Sequence, residues 1–413
     1  MRRVLIGILA AGCWVSSYAT DARVVTMGRH DAFFMDEASV FRNPANMNIY
    51  PNMVYGSYGV FKPNSVNGYV QDSTGSNATN KDPDDPFFGS IISYSLNQGT
   101  DNATQYPMIS FGAFFNRHDD MLDYLTPGNK RYVVDAMPVA RPTDRDSVNL
   151  PEPVGKIDLL LGYVLKNGAM IGGGGYFATQ KATVNGKETQ ASIIKGNLGV
   201  NWPIAKSMDL DVSIGGGQIT AIADSSGKPR PVADHNNFFR LEGRLFSALS
   251  LINGDFVPHV RVDALNLKEL DISSVDLAAG IGLNVNIDKG FFWAGLEFLW
   301  GQNDAVKTTS EKVGGRVSFG IERNIFWDWF VIRVGGMKEL VYINNGPESG
   351  HLEENRPSDA SDNDLVSLGF GINVDNRLRI DFVAAEDFAY TFGNLISKQQ
   401  THLFNRVSAT YSF

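Results

Sequence analysis

His259, Arg261 and Asp263 share one face of an extended segment, because alternate residues of a strand point the same way. Histidine beside aspartate is the pair with which a hydrolase activates a hydroxyl nucleophile. No serine stands at a spacing that completes such a site. Catalysis is therefore not expected, and a membrane-embedded hydrolase is kept only as a third reading. The chain holds six scattered histidines and one cysteine, Cys13. That supply forms no metal-ligand set, and no cofactor is implied. Asp82, Asp84 and Asp85, and Asp359, Asp362 and Asp364, lack the spacing and closing glutamate of a calcium loop, so they read as solvated loop acids.

Two other groups carry chemistry of a softer kind. Phe33, Phe34, Met35 and Phe41 offer the apolar, weakly directional surface that an acyl chain needs, or else ordinary packing. Glu242, Arg244, Arg261, Asp263, Glu297, Arg316, Glu322, Arg333, Arg379, Asp381 and Arg406 all fall on the polar phase of alternating segments. They line a selective pore, or they pair with one another and fill an interior.

The elements that position them repeat with period two. Leu277, Ala279, Ile281, Leu283, Val285 and Ile287 alternate with Ala278, Gly280, Gly282, Asn284 and Asn286. Val313, Val317, Phe319 and Ile321 alternate with Arg316, Ser318, Gly320 and Glu322. About ten residues of such alternation let a tilted strand cross a bilayer. The chain closes in the same way, with Val407, Ala409, Tyr411 and Phe413 on one face and Arg406, Ser408, Thr410 and Ser412 on the other. An amphipathic last strand with a terminal aromatic suits a transmembrane β-barrel, and Tyr411 and Phe413 read as its insertion signal toward barrel-assembly machinery.

Sixteen candidate strands lie near 50–61, 88–96, 107–116, 156–166, 169–180, 191–202, 208–220, 237–249, 255–265, 274–287, 290–302, 312–324, 328–340, 363–374, 377–387 and 402–413, with 88–96 and 208–220 the weakest. Long polar segments at 62–87, 117–155, 221–236, 341–362 and 388–401 read as external loops. Phe291, Phe292, Trp293, Trp300, Trp327, Trp329, Tyr411 and Phe413 read as aromatic girdles at strand ends. Glycine runs at Gly172–Gly175 and Gly215–Gly217 suit a kink or the close approach of an inner segment.

Arg2 and Arg3, the apolar run Val4 to Val15 and Ser17-Tyr18-Ala19 predict a signal peptide over residues 1–19. Cys13 sits within it and is read as a leader residue and not a lipidation site. The net charge of −9 argues against a nucleic-acid partner. Residues 20–49 break the strand pattern at Asn43-Pro44-Ala45 and are too short for a domain, so they predict a plug or hatch, with residues 50–413 as the barrel.

The stretch from Thr26 to Met47 resembles the amino-terminal hatch of the FadL-like superfamily, in which long-chain fatty acid transporters and PorV-like secretion proteins are grouped. Met27, Gly28, Asp36, Ala38 and the hatch turn Asn43, Pro44 and Ala45 carry the resemblance. It implies a barrel of fourteen strands with its amino-terminal segment in the lumen. The expectation is thus an all-β, transmembrane, antiparallel and porin-like barrel of fourteen strands, with sixteen as the alternative, in the outer membrane of a Gram-negative cell. Its expected work is uptake or passage of hydrophobic small molecules, bound at Phe33, Phe34, Met35 and Phe41. The alternative is a PorV-like accessory barrel that docks secretion-system proteins. Outer-membrane lipid and a hydrophobic ligand in the lumen are the other expected partners.

Overall fold

The computed structural model describes residues 21–28, 30–59, 69–71, 77–79, 86–96, 107–117, 119, 155–184, 187–224, 229–267, 272–305, 308–344, 351–354, 365–375, 377–385 and 406–413. The expected leader and both aspartate groups lie outside these residues.

Sixteen antiparallel strands form a closed ring. They are β1 (Met53–Gly59), β2 (Phe87–Ser95), β3 (Met108–Phe115), β4 (Gly155–Val164), β5 (Met170–Val184), β6 (Lys187–Ala205), β7 (Met208–Asp224) and β8 (Pro229–Leu249). Then come β9 (Gly254–Leu267), β10 (Ile272–Ile287), β11 (Gly290–Ala305), β12 (Thr308–Asn324), β13 (Phe330–Asn344), β14 (Leu365–Val374), β15 (Leu378–Ala385) and β16 (Arg406–Ser412). Each pairs with the next, and β1 pairs with β16 from Met53↔Ser412 to Gly59↔Arg406, which closes the ring. The Phe413 amide donates to the Asn52 carbonyl at 3.0 Å and finishes the seam. A short strand, His351–Glu354, extends the far end of β13, and a separate hairpin joins Tyr69–Gln71 to Asn77–Thr79.

The expectation of fourteen strands is corrected to sixteen. The two segments whose alternation looked weakest, now β2 and β7, are full members of the ring. Their pattern is blurred by small residues, Gly89 and Ser93 in one and Gly215–Gly217 in the other. Residues 221–236 are corrected as well, for most of them extend β7 and β8. At 21 residues, β8 is about 70 Å long at about 3.3 Å per residue, well beyond an apolar band about 25 Å tall. A strand that leaves the bilayer is wetted on both faces, so its period-two signature vanishes.

The two faces of the ring are opposite in character. Outward side chains such as Ile92, Phe111, Leu161, Ile194, Leu198, Leu296 and Val317 are exposed. The inward phase is buried and polar, with Glu242, Arg244, Glu297, Arg316, Glu322, Arg333, Arg379, Asp381 and Arg406 all fully enclosed, while Arg261 and Asp263 are half-buried. The terminal strand keeps its expected phase, since Tyr411 and Phe413 are exposed and Ser408 and Thr410 are buried.

Residues 21–28 and 30–50 pack against these inward faces. They begin with a short helix, α1 (Asp21–Thr26), and continue through two 3-10 turns, Glu37–Phe41 and Pro44–Asn48. The Asp36 carboxylate caps the first turn by accepting from the Ser39 amide, and the Asn43 side chain caps the second by accepting from the Ala45 amide. Pro44 stands at the first position of its turn, and Asn43 is extended, as a residue before proline prefers.

Candidate functional site

The inner segment rests on bare backbone. A side-chain carbon at Gly172 would overlap Pro44 and Ala45, and one at Gly199 would overlap the Asn43 amide. Gly162 faces Met47 and Asn48, Gly282 and Gly295 face Phe33, and Gly335 faces Met27 and Gly28. Gly28 also has φ +92°, and a Cβ there would press on the carbonyl of Phe319, so both its conformation and its surroundings demand glycine. The glycines at Gly172 and Gly174 therefore serve close approach, as their run predicts. Gly215, Gly216 and Gly217 meet only neighbouring strands.

Asn43, Pro44 and Ala45 are all buried. The Asn43 Nδ2 donates to Asp211 Oδ1 at 2.9 Å and to the carbonyls of Val200 and Val212. Asn46 Nδ2 donates to the other Asp211 oxygen at 2.9 Å, and Arg244 Nη2 donates to it at 2.8 Å. Arg244 also donates to the carbonyls of Asp31 and Phe34. One carboxylate on β7 thus organises the second turn of the inner segment and an arginine of β8. Asp211 shares its strand phase with Ser213, so its inward position was readable from sequence. It was missed because β7 looked weak.

The four candidate ligand residues divide. Phe33 and Phe34 are buried with Met27, Ala32, Phe246, Val257 and Trp293, and Met35 packs at that cluster's edge. Phe41 lies against a second cluster around Met47, Tyr55 and Phe114, with its ring 4.8 Å from that of Phe114. Phe33 sits flat on the glycine floor of β10 and β11, and Trp293 touches both Phe33 and Phe34. Trp293 is wholly buried and Phe291 packs on Phe34, so these two leave the expected aromatic girdle and face inward. Trp327 and Trp329 are exposed and stack at 5.2 Å on the β12–β13 turn.

Charged groups tie the segment to the wall in two networks. In the first, Arg23 Nε donates to Glu322 Oε2 at 2.8 Å. Glu322 also receives Arg333 and, at 2.9 Å, Arg379. Asp381 pairs with the same two arginines at 2.8 and 3.0 Å. In the second, His30 Nε2 lies 2.7 Å from Glu297 Oε2, and the other oxygen of Glu297 is 3.2 Å from His259 Nδ1. His259 Nε2 is in turn 3.2 Å from Glu242 Oε1, which Arg42 reaches at 3.3 Å. A neutral imidazole has one N–H, so both His259 contacts become hydrogen bonds only when both ring nitrogens carry protons. Both nitrogens face carboxylates and neither faces a serine. Asp263 pairs with Arg240 and Arg261 rather than with His259.

Between the networks lie two acids of a different kind. Asp36 and Glu37 are fully buried at the start of the first 3-10 turn. Neither oxygen of Glu37 has a hydrogen-bond partner among the described residues, nor has Asp36 Oδ2. Burial, reinforced by the nearby Asp31 charge, pushes the Asp36 carboxyl up to about 7. Burial likewise holds the Glu37 carboxyl well above the ordinary range, against the pull of Arg379. Burial moves His30 the other way and favours its neutral form.

A closed ring that is apolar outside and charged within is a transmembrane β-barrel, the inverse of a soluble sandwich. No protein-family model matches the sequence, and no curated protein matches it. Among solved structures, CdiB from Escherichia coli is similar over 87% of this chain and 63% of its own, at 10% identity and TM-score 0.41, so this chain spans less than two thirds of it. A loop-deletion mutant of OmpT, an outer membrane protein of Vibrio cholerae, is similar over 87% of this chain and 97% of its own, at 11% identity and TM-score 0.32. The FrpB iron transporter from Neisseria meningitidis is similar over 82% and 69%, at 7% identity and TM-score 0.32. These scores add nothing to what the ring itself establishes.

Proposed function

We propose that the protein is a gated barrel of the Gram-negative outer membrane, in which residues 21–50 form a plug that shifts to admit a small molecule. The observation that carries this reading is the glycine floor beneath the segment. Bare backbone at Gly162, Gly172, Gly199, Gly282, Gly295 and Gly335 fits the wall closely to one piece of chain. The assigned cargo is hydrophobic, in keeping with the FadL-like pattern around Asn43-Pro44-Ala45. The half-buried faces of Met35 and Phe41 are its nearest apolar surface, since Phe33 and Phe34 are already covered. Tyr411 and Phe413 face lipid and present the last strand to the assembly machinery.

The test exploits Ala22, whose amide donates to Ser408 Oγ at 3.3 Å. Ala22→Cys with Ser408→Cys puts a thiol on each side of that contact. Uptake of a fluorescent long-chain fatty acid by proteoliposomes should be blocked when the pair is oxidised and restored by reductant. Equal uptake in both states sinks the gating reading. A PorV-like accessory barrel is the second reading, favoured by the density of buried ties between segment and wall. It predicts no uptake in either state, and capture of secretion-system proteins by the external loops.

A further inference from the structure

We infer that Asp36 and Glu37 form a proton latch, which seats the inner segment while both carboxyls are protonated and loosens it when they ionise. This rests on the plug reading above and adds what controls it. The geometry is unusual for acids. Carboxylates held in a folded interior are normally paired or hydrogen-bonded, because a buried unpaired charge is costly. Here two adjacent acids are fully buried, and three of their four oxygens have no hydrogen-bond partner among the described residues. A protonated carboxyl tolerates that setting and an ionised one does not. Displacing the segment returns both acids to water, where ionisation is free.

The groups around the pair set the sign. Within the segment these are Asp31, Arg23, Arg42 and Tyr50, and the Ser39 amide bonds the one satisfied Asp36 oxygen. From the wall Arg379 faces Glu37, but it already serves Glu322 and Asp381. Arg42 likewise serves Asp31 and Glu242, with Asp211 nearby. Each cation near the pair thus has an earlier claim on it. Because Asp36 titrates higher when docked than when free, docking is fully supported below the ordinary carboxyl range, and that support is lost as pH rises through about 7. Glu37 extends the window upward. His30 opposes the trend, since docking favours its neutral form. Its ring remains able to donate to Glu297 in either state.

The experiment uses the full barrel carrying Ala22→Cys, a position buried when the segment is docked. Maleimide labelling is followed at pH 5, 7 and 8.5 beside the same cysteine in an Asp36→Asn, Glu37→Gln background. Thiol reactivity itself rises with pH, so the ratio of the two rates is the quantity read. That ratio should climb at least tenfold from pH 5 to 8.5. A ratio independent of pH overturns the latch. Should the double variant not assemble, Asp36→Asn alone serves as the reference, with a smaller rise in the same direction expected and a flat ratio again decisive. Uptake measured at the same pH values separates the two readings. Labelling that follows pH without uptake leaves the latch and removes the passage. Uptake restored by reducing the engineered disulfide while labelling ignores pH does the reverse.

Discussion

The two ends of the inner segment are held by different physics. At the carboxyl-terminal end, Asn43 and Asn46 converge on a single acceptor, Asp211, over a floor of glycines. At the amino-terminal end, Arg23 joins a network in which Glu322 already has Arg333 and Arg379. The first anchor depends on shape and on one irreplaceable carboxylate. The second is redundant, because Glu322, Arg333, Arg379 and Asp381 each have another partner in it. A segment so held should pivot at Asn43–Ala45 and release at α1, since a shared charge network can lose one arm and remain paired.

The sharpest way to break this contrast is Asp211→Ala, which leaves Arg244 and two buried amides without their common acceptor. Removing one partner of a buried charge pair should weaken docking by about 4 kcal/mol, read as faster labelling of Ala22→Cys. Gly199→Val comes next. The added side chain collides with the Asn43 amide, and overpacking of this kind should weaken docking by about 2 kcal/mol. Gly215→Ala is its control and should change nothing, since a Cβ there meets only ordinary contacts at 3.4 Å. Arg23→Met tests the redundant end and should weaken docking by about 1.5 kcal/mol, the worth of one charge-assisted hydrogen bond. If Arg23→Met proves as damaging as Asp211→Ala, the two ends are alike and the contrast fails. Phe413→Ala should leave docking untouched and reduce only the yield of assembled barrel, measured as the heat-modifiable fraction on a gel.

Much of this was legible in the residues. Strand alternation separated lipid-facing from enclosed side chains, and the buried charges from Glu242 to Arg406 fell on the predicted face. Alternation also supplied sixteen segments, while the family resemblance drew the expectation down to fourteen. What stayed hidden had physical causes. Strands that run on past the apolar band lose the alternation that a bilayer imposes, so the extended ends of β7 and β8 read as loop. Trp293 looked like a girdle residue because aromatics at strand ends usually are. Its phase, shared with Gly295 and Glu297, pointed inward all along. The acid pair was invisible as a pair, because nothing in Asp36-Glu37 announces that its oxygens lack partners. That emerges only once the wall encloses them.

The seam carries a consequence for the order of events in assembly. Tyr50, the last residue of the inner segment, is followed within three residues by Met53, which opens β1, and β1 is zipped to β16, the last strand of the ring in chain order. The ring therefore cannot shut until its final strand arrives, and by then the inner segment is tethered at the mouth of the closing cylinder. Its carboxyl-terminal anchor has to find the β5–β7 floor while the cylinder is still an open sheet, or else thread in through the end. Seam closure would then be a one-way step that fixes which chains carry a seated segment and which do not.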